Sequence, residues 1–319
     1  SAAVAGVATF GSIVHSVVGT GYTLTATTGG LTSVVSTTFD ITVVTNFTGG
    51  DMAIVGICVN QGACGGASGE DEISLVSFVD ITPGTSFHIT DNGFERVGCG
   101  SNTWGDGEGV ITITRTTSTL AAGTIFTFRI LNNTVFAGIN PDNNWTINYT
   151  VGNSFNLNSN DEQVYLMQGG TWNDPAGASN ATYSGGTYMF AINTYTAWSC
   201  NNNSTQRGDL PIPLTCLSIM PLTGTVNVKY TGLTTTKNKK DWINRLNNIS
   251  NWSASTDCPT YNAQVPVYSS GYTFSIILGG FNSGFWTGAL DNDWFDCHNW
   301  QNFEVPDSLV NVTIDNVAN

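Results

Sequence analysis

Three sets of residues in this 319-residue chain could do chemistry. The first is acidic. The stretches "GEDE" (69–72), "DNGFE" (91–95) and "GDGEG" (105–109) help place eight of the 23 acids between Glu70 and Glu108, punctuated by glycine. Oxygen-rich, glycine-broken loops of this kind can wrap Ca²⁺, a hard ion that takes six to eight oxygen ligands. Asp71, Glu72, Asp91 and Glu108 are the candidate calcium ligands. The spacing is not that of an EF-hand, and solvated turns are the alternative. The second set lies in "GFWTGALDNDWFDCHNWQNFEVP" (284–306). Here Trp286, Trp294 and Trp300 could form a platform for a sugar ring or a structural wedge. Asp291, Asp293, Cys297 and His298 could instead hold a metal ion.

The third set is the seven cysteines, at 58, 64, 99, 200, 216, 258 and 297. None forms a CxxC pair, so a zinc site has weak support. Disulfides in an oxidising compartment suit the composition better. Cys58 and Cys64 bracket the short loop "VNQGA" and are expected to pair. Cys200 and Cys216 are expected to pair across an Asn-rich loop, with Cys258 competing for either. The odd count leaves one thiol free or bonded outside the chain. Cys297 has no evident mate, Cys99 and Cys258 being the options.

Catalytic chemistry is thinly supplied. The chain has three histidines, His15, His88 and His298, and no GxSxG, HExxH or P-loop motif. Acid pairs such as Asp71/Glu72 and Asp161/Glu162 could serve a glycosidase, which needs two carboxylates across a cleft, but they read more simply as solvated edges. The tripeptide Arg207-Gly208-Asp209 reads as coincidence. The expectation is therefore a protein that is not an enzyme.

The elements that must position these residues follow from composition and period. Charged residues make up 10% of the chain, against roughly 25% in ordinary soluble proteins. Thr, Ser, Asn and Gly fill the gap, which suits an extracellular β-protein. A net charge of −14 excludes nucleic acid as a partner, because phosphate binding needs a basic surface. No run of 18 apolar residues is present, so no membrane insertion is expected. The opening "SAAVAGVATF" reads as strand, and the chain is expected to be a mature or excised piece of something longer.

The dominant period is two: Tyr22, Leu24 and Ala26; Phe126, Phe128 and Ile130; Val226, Val228 and Tyr230; Val310, Val312 and Ile314. This predicts an all-β fold of antiparallel β-sandwich modules in tandem. One segment breaks the period. Trp242, Ile243, Leu246 and Ile249 recur at helical spacing, which predicts one short amphipathic helix of about three turns near 238–250. Its Lys237, Lys239 and Lys240 sit at the wrong end for the helix dipole. They read as a solvated turn, with contact to something acidic as the alternative. Three modules are expected: 1–45, 46–279 and 280–319.

Residues 6–42, "GVATFGSIVHSVVGTGYTLTATTGGLTSVVSTTFDIT", resemble the second half of a bacterial immunoglobulin-like domain of the invasin and adhesin type. The resemblance implies a sandwich whose first strands lie upstream or come from another subunit. The segments "DMAIVGICV", "EDEISLVSFVDITPGTSFHITDNGF", "GEGVITIT", "NDEQVYLMQGG", "YMFAINT" and "KKDWINRLNNISNWS" resemble a lamin-tail-like β-sandwich module of long secreted Bacteroidota proteins. The cysteine insert "CVNQGAC" and the long Asn-rich loops depart from that pattern. The pattern "WTG…DWFDCHNW…VP…VTI" is similar to a segment that opens further β-domains in the same surface proteins, which implies a structural role for the tryptophans. Asp307-Ser308-Leu309 looks like the triplet such bacteria O-glycosylate, on Ser308.

Together these imply a non-enzymatic structural or adhesive section of a long extracellular or outer-membrane-surface protein, an adhesin stalk or filament subunit exported by the type IX route. Its partners would be neighbouring modules of the same polypeptide or identical subunits in a fibre, with glycans or a host or cell surface as further options. A carbohydrate-binding module using the tryptophan cluster is the alternative, and a secreted hydrolase the third reading. Calcium is the one cofactor the sequence suggests.

Overall fold

The computed structural model describes residues 13, 15, 17–59, 71–96, 102–131, 134–140, 142–152, 155–157, 162–174, 180–200, 208–220, 227–268, 272–278, 284–288, 291–294, 296–301, 303 and 311–314, with the backbone alone over 131–140. The chain divides into two compact units, Ser1–Val44 and Thr45–Asn319. In the first, the Thr-rich alternation folds as two small antiparallel ladders. β1 (Gly19–Tyr22) pairs with β4 (Phe39–Ile41), and β2 (Thr25–Ala26) with β3 (Val34–Val35). Two-residue strands cannot bury a face, and Leu24, Leu31, Val34 and Val35 are exposed. A hollow of about 620 Å³ opens among Ile13, His15, Tyr22, Leu24, Phe39 and Ile41.

The second unit is a β-sandwich. One sheet has the order β13 (Trp145–Val151), β10 (Val110–Arg115), β7 (Ser86–Thr90), β14 (Gln163–Asn173), β15 (Thr182–Asn193), β16 (Ser218–Ile219). The other runs β12 (Thr134–Asn140), β11 (Ile125–Leu131), β6 (Asp71–Ser77), β5 (Met52–Cys58), β17 (Asn227–Tyr230), β18 (Trp252–Ser255). Neighbours are antiparallel except β15 and β16. A two-strand ribbon, β8 (Phe94–Glu95) with β9 (Thr103–Trp104), lies in the connection from β7 to β10. The period-two reading holds where it matters most: Phe126, Phe128 and Ile130 are all buried. Phe126 meets Phe87 of the opposite sheet at 6.1 Å and stacks on Trp145 at 5.1 Å.

β5 and β6 are buried at every position, so their outer faces are covered as well. The cover over β5 is α2 (Cys258–Ala263), with Tyr268 following it. A Cβ at Gly56 would come within 2.3 Å of Tyr261 Oη, so the close approach of this cover requires glycine there. The predicted helix is α1 (Lys239–Leu246), two turns rather than three. Trp242, Ile243 and Leu246 are buried, and Trp242 stacks on Phe274 at 4.4 Å. Ile249 falls outside the helix and is 51% exposed. Asn248 stops the continuation by capping a separate 3₁₀ turn, its side chain accepting from Ser250 N.

Near the C-terminus β19 (Phe285–Trp286) pairs in parallel with β20 (Thr313–Ile314). Contacts draw this segment into the same unit as the sandwich. A disulfide joins Cys297 to Cys216, and Lys240 Nζ donates to the carbonyls of His298 and Trp300. No helix among the described residues is long and apolar enough to cross a membrane.

Candidate functional site

Asp91 follows β7 and Glu108 precedes β10, and the register of these strands brings them to one end of the sandwich. Asp91 is fully buried. Its Oδ2 accepts from Asn156 N at 2.9 Å, and its Oδ1 has no hydrogen-bond partner. Burial, reinforced by the Glu108 charge, pushes the Asp91 carboxyl well above the usual carboxylate range. Tyr149, whose hydroxyl is also buried without a partner, feels both acids; burial first, then Asp91, raises it to about 12. Asp71 joins the same end, its Oδ2 accepting from Leu157 N, next to the amide that serves Asp91.

Glu72 does not join them. Adjacent strand residues point to opposite faces, and Glu72 turns away from Asp71 to meet Arg129 Nε at 3.3 Å. The four candidate calcium ligands therefore separate into Asp71, Asp91 and Glu108 on one side and Glu72 on the other. Asp209 of the Arg-Gly-Asp triplet is buried and paired with Arg96 at 2.8 Å.

The tryptophans form a knot. Trp286 and Trp294 stack at 5.4 Å, and both set their faces against the edge or plane of Trp300 at 5.1 and 4.6 Å. Trp300 is fully buried and its Nε1 donates to Trp294 O. Asn299, equally buried, donates through Nδ2 to Asp291 Oδ1 and Asp293 O. These bonds fold a short loop around one indole. Trp294, 37% exposed, is the most exposed of the three rings.

Beside the knot lies a third arrangement. One ligand atom each from Cys216, Asp296, Cys297 and His298 falls within 4.8 Å of the others. Among the described residues this is the sole group of three or more His, Cys, Asp or Glu side chains that converges so closely. Cys216 and Cys297 are disulfide-bonded, with Cα atoms 6.1 Å apart, an ordinary span for a bridge. Cys216 Sγ lies 3.4 Å from His298 Nδ1 and 3.7 Å from Nε2. Asp296 caps the turn that carries these residues, accepting at Oδ1 from both His298 N and, at 2.8 Å, His298 Nδ1. Those bonds hold the Asp296 carboxyl below its usual range. Asp291 and Asp293 do not belong to this group; Asp291 Oδ1 is taken by Asp293 N and Asn299 Nδ2.

Two expected pairings are corrected. Cys216 bonds to Cys297 rather than to Cys200, because residues 211–217 deliver it to the terminal segment. Cys58 is a thiol, not bonded to Cys64; it is buried at the end of β5 under Tyr261 and Cys258. Cys200 and Cys258 are each disulfide-bonded. Cys64, Cys99 and Ser308 lie outside the described residues.

The remaining titratable groups are structural in their surroundings. His88 bonds Thr112 Oγ1 at 2.9 Å, and burial lowers its pKa. Lys239 reaches Asp51 Oδ1 at 2.8 Å in a buried pair, so contact with an acid, not a solvated turn, describes this lysine. Lys229 is buried, donates to Tyr261 O at 2.7 Å and lies 4.4 Å from that ring; burial pulls its pKa down to about 8.

No protein-family model, curated protein or solved structure matches the chain. Asp51, Lys229 and Tyr149, and the partner of Cys216, escape sequence reasoning, since each acts across a separation that no local pattern marks. α2 had a signal, Asp257 followed by Pro259, the N-cap and first-turn proline of a short helix.

Proposed function

We propose that the chain is a non-enzymatic structural or adhesive section of a longer extracellular or cell-surface protein. The observation that carries this reading is covalent. A bond between residues 81 apart in sequence ties the terminal tryptophan segment to the sandwich, and Cys200 and Cys258 are bonded too. Disulfides persist in oxidising compartments, and the charge-poor β-sandwich suits the same setting. The exposed apolar strands of the 1–44 unit suit a further strand from a neighbouring module or subunit, which would satisfy both edge and face. The test is disulfide mapping on protein taken from producing cells, with surface protease accessibility. A Cys216–Cys297 peptide and surface cleavage are expected; a reduced, intracellular protein would refute the reading.

A second reading, carbohydrate binding through the tryptophans, is favoured by the exposure of Trp294. A glycan array separates the two. Binding that Trp294→Ala abolishes would favour the second, and an array without signal would leave the first.

A further inference from the structure

We infer that Cys216, Cys297 and His298 form a binding site for a borderline-soft divalent cation such as Zn²⁺, which exists when the Cys216–Cys297 bond is reduced. Two thiolates and one imidazole, with solvent in a fourth position, make up a known class of tetrahedral zinc site. An ionised carboxylate can only accept, so the bond from His298 Nδ1 to Asp296 Oδ1 puts the ring proton on Nδ1. That leaves the lone pair on Nε2. A carboxylate behind a histidine is the arrangement that fixes ring orientation in metal sites.

Metal–nitrogen and metal–sulfur bonds of about 2.0 and 2.3 Å at a tetrahedral angle place N and S roughly 3.5 Å apart, and Nε2 lies 3.7 Å from Cys216 Sγ. The side chain of His298 is 47% exposed, so the separated sulfurs can approach Nε2 while Nδ1 keeps its bond to Asp296. The two cysteines are buried at 2% and 7%, which shields the thiolates and leaves entry on the histidine side. Asn247 Nδ2 holds the Cys216 carbonyl, and Lys240 the His298 carbonyl, so both backbones are fixed independently of the sulfur bond.

The chemistry balances simply. A thiol reductant gives two electrons and two protons to the sulfur–sulfur bond and becomes a disulfide itself. Binding of M²⁺ by the two thiols then releases both protons. The inference is independent of the extracellular reading, because a chain found reduced in the cell would overturn that reading and leave this one standing.

The experiment uses the full chain and Co²⁺ as probe, added before a thiol reductant. One equivalent should bind with a thiolate charge-transfer band and tetrahedral visible absorption, and the oxidised chain should show neither. Zn²⁺ should protect Cys216 and Cys297 from alkylation, read residue by residue, so thiols released from other bridges do not confuse the result. Asp296→Asn should weaken binding about 10–100-fold, as loss of a carboxylate behind a ligand does. Cys216→Ser and His298→Ala should remove the charge-transfer band or shift it. Binding that is unchanged in His298→Ala, or protection of other cysteines, would overturn the site. So would a reduced chain that unfolds and that Zn²⁺ does not refold.

Discussion

Asp91 gives the sharpest test of the sandwich's acidic end. Its carboxyl is fully buried, one oxygen has no partner, and Glu108 adds a like charge. Its folded pKa therefore lies above the unfolded value near 3.9. Between those two values the native state holds a proton that the unfolded chain has released. Stability then falls as pH rises through that window, and the full cost is present above the folded pKa. Asp91→Asn cannot ionise. Its amide oxygen can keep the bond from Asn156 N, and its NH₂ gains a donor for Glu108 or the Tyr149 oxygen. A buried, unsatisfied polar atom costs about 1–3 kcal/mol, so the variant should be more stable than wild type by about that amount at pH 8. The gap should close toward pH 4. For a unit of this size each kcal/mol moves Tm by about 2–4 °C. Thermal melts at pH 4, 6 and 8, with calcium or chelator, measure it. A variant less stable than wild type at pH 8 would refute the argument. Wild type stabilised by calcium, with the variant indifferent, would put an ion in place of the proton.

Three further outcomes are expected. Lys239→Met strands the buried Asp51 carboxylate, which Lys239 meets at 2.8 Å, and should cost about 3–5 kcal/mol in urea denaturation. Trp300→Ala empties a fully buried position in the tryptophan knot; a loss of about 3–5 kcal/mol and of the near-ultraviolet signal from the Trp286–Trp294 stack should follow. Gly56→Ala sets a methyl 2.3 Å from Tyr261 Oη, costing about 1–3 kcal/mol and speeding alkylation of Cys58 beneath that ring; Tyr261→Phe in the same chain should recover part of both.

How much of this was legible in the sequence depends on the range of the force involved. Strand period is local, so Phe126, Phe128 and Ile130 declared a buried face and the structure buries them. The apolar stripe of α1 was equally plain, yet its end was not, because Asn248 turns its side chain to a second cap and halts the helix before Ile249. Pairing across the fold was not legible. Cys58 and Cys64 are near in sequence, but β5 carries Cys58 into a sealed cluster, while Cys216 finds Cys297 across 81 residues. Asp71 and Glu72 make the same point most sharply. As neighbours in a loop they could grip one ion together. As neighbours in a strand they cannot, because the pleat sends one toward Leu157 N and the other to Arg129. Sequence proximity therefore argues for a shared ligand only where the backbone is not extended, and the decisive observation about an acidic pair is the element that carries it.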